Sequence, residues 1–282
     1  MARSQTKIKS KDNILDYILL VIFIGVIIVT LYPFLNVLAI SFNDPIDTMR
    51  NINFIIPRKF TWSNYTYVFQ ENNLFEPFAM SIVRTLIGTL TGVAVTAMVA
   101  YVLSRRDFYF NKLFTVLFVI TMYVSGGLVP EYLLITRTLK LGNHFLVYIL
   151  PGLIWVYNII LIRSFIDGLP IALQEAARID GAGQWQTFSR VMLPIVKPGI
   201  ATVIIMTFIS VWGEFTYART LCTTAKSQTL AVGITFLRDE AASWQYGTLT
   251  ATIILSLIPV LAIFLSMQKY FIKGIMAGAV KG

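Results

Sequence analysis

The sequence holds one cysteine and one histidine in 282 residues. A lone cysteine, Cys222, excludes an internal disulfide and a cysteine-based metal cluster. The lone histidine, His144, sits in a Gly142-Asn143-His144 turn and reads as a polar loop residue, not a catalyst. Charge is scarce too: 13% of residues are Asp, Glu, Lys or Arg, against about 25% in soluble domains. No Walker A loop, His-Glu-x-x-His or Gly-x-Ser-x-Gly occurs. Any work done on ATP therefore belongs to another polypeptide. There is no solenoid-period repeat and no low-complexity tract.

What the sequence has in excess is apolar residues. They make up 56% of the chain, with mean hydropathy +0.72. Such a chain cannot furnish a soluble surface, and it reads as an all-α integral membrane protein. The net charge of +9 does not indicate nucleic acid. The basic residues are scattered between apolar runs, which suits contact with membrane lipid and control of topology.

Taken in order, residues 1–13 are a basic N-terminus carrying Arg3, Lys7, Lys9 and Lys11. The apolar run from Ile14 to about Ile40 exceeds the ~20 residues that cross a bilayer, and no small-residue cleavage site follows it. It reads as a retained first span, bent near its outer end by Tyr32-Pro33. Residues 43–76 form an outer loop with some helix, whose Trp62, Tyr65 and Tyr67 suit a membrane interface. The second span covers about 77–103. Its Gly88, Thr89, Gly92, Thr96 and Ala97 allow close helix approach, which makes it central in the bundle. The third covers about 113–125 and breaks at Gly126-Gly127 and Pro130. The fourth runs from about 145 to 163, interrupted at Pro151-Gly152. A polar stretch over 164–197 separates it from the fifth span, about 198–217. An outer loop with a short helix near 230–238 leads to the sixth span, about 246–267, and residues 268–282 form a tail.

Six spans put both termini on one side. Fourteen of the twenty-three Lys and Arg residues fall on the side of the termini and the 164–197 loop. The positive-inside rule therefore predicts that these segments are cytoplasmic.

The 164–197 loop is the most informative stretch. Leu173 to Asp180 predicts two or three helical turns, with Gly181 as the C-terminal stop. Ala176 and Ala177 leave one side nearly bare for the close approach of another protein's backbone. Glu175 near the N-terminus suits the helix dipole and offers a carboxylate to a partner's Arg or Lys. A second amphipathic helix runs through Trp185, Phe188 and Val191, and Pro194 is expected to end it. Asp180 is expected to cap that following helix or to pair with Arg178.

The spacing Glu175-Ala176-Ala177, three residues, Gly181, nine residues, Val191, one residue, Leu193-Pro194 resembles the EAA loop of membrane subunits of bacterial ABC importers. The family usually has Ile where Val191 stands. The resemblance implies a six-helix type I importer permease, the MetI-like fold, with 14–267 as the transmembrane domain. It implies that residues 171–181 are a coupling helix seated in an ATPase, with Glu175 meeting a basic residue there. Leu193 and Pro194 close the motif. The tail Gln268–Gly282, Gly-rich and ending Lys281-Gly282, is similar to that of the sugar-importing branch. This implies a carbohydrate substrate and a tail reaching the ATPase. The implied partners are a second, similar permease subunit, two ATPase subunits that bind ATP and Mg, and an extracytoplasmic solute-binding protein. The chain itself needs no cofactor or metal and is no enzyme.

For a substrate path, the candidates are Arg84, Trp212, Glu214 and Tyr217. Glu214 is the one acid deep in a predicted span, and a carboxylate there faces an interior or a watery cavity. Trp212 and Tyr217 suit stacking on a sugar ring. Equally, Glu214 ties spans together by pairing with Arg84 or Arg219, and Arg84 is an interface anchor or a site for an acidic sugar. Sugar permeases often carry Trp-Asn-Glu where this chain has Trp212-Gly213-Glu214. An ion-gradient carrier would favour paired intramembrane acids, and an importer for a non-sugar solute would share the same loop.

Overall fold

The computed structural model describes residues 13–50, 55–70, 74–224, 227–240 and 246–279. The N-terminal Arg3, Lys7, Lys9 and Lys11, and the closing Lys281, lie outside them. Among the described residues the structure is helical, with one isolated bridge between Asn43 and Phe60.

Two units are distinguished. The first comprises residues 1–72 and 240–254. Its main element is α1 (Asn13–Ser41), a continuous helix that retains Pro33 within it. Beyond α1 the chain folds back on itself around Asn64, whose buried amide donates to the carbonyls of Ser41 and Asn43 at 3.0 and 2.9 Å. Phe42, Phe60, Trp62 and Tyr65 gather there, with ring centroids 4.9–5.8 Å apart. Trp62 and Tyr65 thus pack in an aromatic cluster within the loop.

The second unit comprises residues 73–239 and 255–282 and holds every candidate site residue. It is organised by α2 (Phe75–Ser104). Ser81, Thr85, Gly88, Gly92, Thr96 and Ala100 are buried, spaced three or four apart. That spacing makes one face of a 3.6-residue helix, and its small side chains let neighbours approach. Against it pack α4 (Val156–Asp167) and α6 (Lys197–Gly213). Asn158 and Thr207 join α4 to α6 through a buried 3.2 Å hydrogen bond. α3 (Asn111–Tyr123) completes the hairpin with α2, and the chain turns by 112° at Gly127 into Leu128–Thr138. α5 (Ala172–Ile179) follows α4 across a 76° bend. α7 (Thr216–Leu221) extends α6 beyond a break, and α8 (Tyr246–Ala279) contributes to both units.

Four helical stretches are long and apolar enough to cross a membrane: Leu15–Ser41, Phe75–Ser104, Lys197–Leu221 and Tyr246–Tyr270. The number is six if each of two bent pairs, Asn111–Tyr123 with Leu128–Thr138 and Val156–Asp167 with Ala172–Ile179, counts as one span. The fourth span is interrupted at Pro151-Gly152 as expected, and the interruption is wider than those two residues. Residues 145–148 make a 3₁₀ turn, 149–155 are irregular, and α4 begins only at Val156. Pro151 has no N–H to give a helix. Non-helical backbone is tolerated at membrane depth only where protein buries it or a cavity adjoins it. Both hold here, since the carbonyl of Gly152 lies 3.3 Å from where a Cβ on Gly92 of α2 would stand. Pro194 does not end its helix either. It follows a π-helical segment, Thr187–Met192, and sits inside Leu193–Ile195 before the chain turns at Val196. The expected helix near 230–238 is present as Leu230–Glu240.

The α4–α6 contact leaves no room at Gly199, where a Cβ would lie 2.6 Å from the Phe165 ring. Gly199→Val is expected to destabilise by about 1–3 kcal/mol, the range for overpacking a filled core. In a thermal scan of the detergent-solubilised protein, pairing it with Phe165→Leu should recover most of the loss. An unchanged melting temperature in the single variant would contradict this packing.

Candidate functional site

Two regions of the second unit carry polar chemistry. The first is the turn between α2 and α3 together with α5. α5 ends as expected: Gly181 has φ +77°, in the left-handed region that glycine adopts without penalty. The amide of Ala182 donates to Ala177 O at 2.9 Å, and that of Gly181 to Arg178 O at 3.0 Å. This paired arrangement satisfies the last carbonyls of a helix and forces the chain to reverse.

Glu175 and Ala176 are exposed on α5, and Ile179 beside them is 85% exposed. Ala177 is not. It is 6% exposed, packed inside the chain, so its small size serves internal contact rather than a partner. Asp180 is the C-terminal cap residue of α5, and its side chain is exposed. Neither expected role holds, because Gly183 caps the following helix and Arg178 pairs elsewhere. Leu193 packs against the core that contains Phe188 and Met192, and Pro194 is exposed.

The partner of Arg178 is Asp107, with Nη2 donating to Oδ2 at 2.7 Å. Asp107 also receives Arg105, which in turn donates to Gln184 Oε1. One carboxylate thus ties the end of α2 to α5 and to the segment after it. Arg105 first, then Arg178, holds the Asp107 carboxyl well below the usual carboxylate range. Arg105 and Asp107 lie in the short connection between the second and third predicted spans. The usable signal was the acid Asp107 placed between basic residues in a loop facing another basic loop.

The second region is at the far end of α2. α6 stops at Gly213, and its last carbonyls lack helical partners. Arg84 supplies them. Its guanidinium donates to Trp212 O at 3.3 Å and to Glu214 O at 2.8 Å. It also meets Glu214 Oε2 at 3.3 Å and lies over the Tyr148 ring, 4.9 Å from the centroid. The Arg84 side chain is 1% exposed and that of Glu214 22%. The other oxygen of Glu214, Oε1, accepts the amide of Tyr217 at 2.7 Å and so starts α7. Of the alternatives open in the sequence, Glu214 pairs with Arg84; Arg219 lies over Phe215 instead. Glu214 also lies at the break between α6 and α7, not within a continuous helix as expected.

Beside this pair is a partly enclosed cavity of about 230 Å³ lined by Arg84, Tyr148, Trp155, Ser210, Glu214 and Tyr217, among others. Arg84, Glu214 and Tyr217 are therefore brought together as expected, but Trp212 is not. Its indole donates to Ser256 O at 3.0 Å and stacks on Phe208. Trp212 lies within α6, on the side that meets Ser256 and Phe208. Trp155, at the irregular start of α4, is the indole facing the cavity, and no periodic pattern marks such a residue. Among the described residues no group of three or more His, Cys, Asp or Glu is placed to hold a metal ion.

A helical bundle with a broken-helix cavity at one end and an exposed capped helix at the other is an arrangement that suits a membrane transport subunit. The chain belongs to the family of binding-protein-dependent transport system inner membrane components, whose model matches residues 92–276. It is similar to Protein LplC of Bacillus subtilis strain 168, 32% identical over 271 residues and 92% of each chain. A galactooligosaccharides transport system permease protein, GanQ of the same organism, is 31% identical over 98% of each. In solved structures it resembles a chain of a bacterial ABC transporter involved in the import of the acidic polysaccharide alginate. There the TM-score is 0.85 and the identity 26%, covering 94% of this chain and all of that one.

Asp107→Asn is expected to free Arg178 and raise hydrogen exchange at the Gly181 and Ala182 amides severalfold, while Asp107→Glu keeps them protected. The carboxyl is depressed in the folded state. Its contribution is therefore complete above the unfolded carboxylate range near ~4 and lost only as pH falls below it. Protection of these amides should not weaken between pH 7 and pH 5. Equal exchange in the Asn variant and the parent would remove the tie.

Proposed function

We propose that this chain forms half of the translocation path of an ATP-driven importer of sugars or oligosaccharides. Residues 14–267 make the membrane domain, with the coupling loop at 164–197; residues 1–13 and 268–282 are cytoplasmic. A second, similar permease subunit supplies the other half. Two ATPase subunits bind ATP and Mg and dock on α5, and an extracytoplasmic binding protein delivers the sugar at the opposite face of a bacterial cytoplasmic membrane.

The observation that carries this reading is α5 itself: an amphipathic helix of eight residues, exposed at Glu175, Ala176 and Ile179, sharply stopped at Gly181, and clamped to α2 through Asp107. An exposed helix on a rigid clamp is what a subunit without its own nucleotide site needs to receive force. Glu175 meets a basic residue of the ATPase, Ala176 allows close approach, and Gly181 sets the reversal. Leu193 and Pro194 hold the returning segment. At the other end Arg84, Glu214 and Tyr217 border the sugar path. The carbohydrate class rests on relatives named for galactooligosaccharides and arabinooligosaccharides, and on the tail from Gln268. ATP and loaded binding protein must favour different conformations of the bundle, since only differential binding shifts such an equilibrium.

The test is a cross-link. In a Cys222→Ser background, Ala176→Cys in native membranes should be captured by an ATPase subunit, identified by mass spectrometry. Glu175→Lys should leave the protein inserted and reduce ATP-driven uptake at least tenfold. Uptake in proteoliposomes that needs a proton or sodium gradient and no ATPase would replace this reading with a gradient-driven carrier.

A further inference from the structure

Family membership leaves the charge of the sugar open. Similar proteins are named for acidic polysaccharides, alginate in one case and polygalacturonan/rhamnogalacturonan in another, and for galactooligosaccharides in a third. The cavity beside Arg84 bears on the choice. This step rests on the importer reading above.

Arg84 and Glu214 are the charged side chains among the residues that line it. They neutralise one another: the guanidinium meets the carboxylate at 3.3 Å and spends its remaining contacts on the carbonyls that end α6. The negative end of that helix adds to the compensation. Behind the lining, Tyr217 donates its hydroxyl to Glu131, a second carboxylate. Among the described lining residues no cation is left over. Tyr148, Trp155 and Tyr217 bring aromatic rings, and Ser210 and Tyr217 bring hydroxyls. At about 230 Å³ the cavity lies below the roughly 300–1,000 Å³ that encloses a drug-sized ligand, so it holds one ring of a longer chain.

We infer that this cavity accepts an uncharged sugar ring and discriminates against a uronate. The uncharged ring offers apolar faces to the aromatic rings and hydroxyl groups to Ser210 and Tyr217. A uronate would bring a negative charge into a site whose single cation is already matched. An unpaired charge away from water is far more costly than a hydrogen-bonded hydroxyl. Of the two roles open to Arg84 in the sequence, interface anchor or site for an acidic sugar, the first is favoured, because Glu214 already pairs with its guanidinium.

The test uses the complete assembly in lipid nanodiscs, in a Cys222→Ser, Ser210→Cys background. Maleimide labelling of the new thiol is followed with neutral galacto-oligosaccharides or with oligogalacturonates of equal length, which differ by a carboxylate on each ring. The neutral sugar should protect at a concentration at least tenfold lower. Glu214→Gln, which keeps the shape and unmasks Arg84, should erase or invert that ratio. Trp155→Ala should weaken protection by the neutral sugar without admitting the acidic one. Equal protection by the two sugars, no protection by either, or a ratio unmoved in Glu214→Gln would overturn the inference. ATP-dependent uptake by the same assembly in proteoliposomes is scored separately. Its presence with a failed protection assay rejects the neutral cavity and keeps the importer; its absence rejects the importer.

Discussion

The interaction on which the rest depends is the seat of Arg84 at the broken end of α6. A lone arginine at the centre of a membrane helix costs about 3 kcal/mol even on the more lenient scales. Helix carbonyls left open in a dry setting carry a penalty of their own. The two liabilities cancel when placed together. Arg84 satisfies Trp212 O and Glu214 O, its charge meets Glu214 Oε2, and Glu214 Oε1 restarts the chain as α7. The break therefore persists as a fixed feature. It supplies one wall of the cavity, while the irregular segment before α4, packed on the glycines and threonines of α2, supplies another.

The same helix bears on the opposite end. From Arg84 to Ser104, α2 runs twenty residues, about 30 Å. Its last turn leads directly into Arg105 and Asp107, and Asp107 holds α5. A continuous helix with a tightly packed face is stiff, and the two polar regions are attached to its ends. This is a statement of connection; coupling additionally needs two conformations that ATP and binding protein favour unequally.

Much of this was legible in the sequence, for identifiable reasons. Long apolar runs reveal spans because length and hydropathy are properties of a window, and the small-residue face of α2 follows a plain helical period. Gly181 was legible because a helix stop has local chemistry. What escaped depends on three-dimensional direction. Pro151-Gly152 marked an interruption, but hydropathy could not show that it extends over 149–155, since that stretch is largely apolar. Trp212 and Trp155 look alike as indoles, and only their surroundings in the fold decide which lines the cavity. Ala177 looked as bare as Ala176, but one helical step of about 100° carries it from the surface into the core. Asp107 pairs with a residue seventy-one positions away, and no local pattern announces that.

The first helix is built on different terms. The most apolar stretch of α1 has no buried residue, and the family match begins only at residue 92. With 29 residues, about 43 Å, it exceeds the bilayer core. Few contacts within the chain fix which of its apolar side chains stands at which position. Length and apolarity specify such a helix loosely. The bundle around α2 is specified by close fit. One polypeptide thus carries two tolerances: a helix in which one apolar residue can stand for another, and a core in which a single added carbon, as at Gly199, has no room.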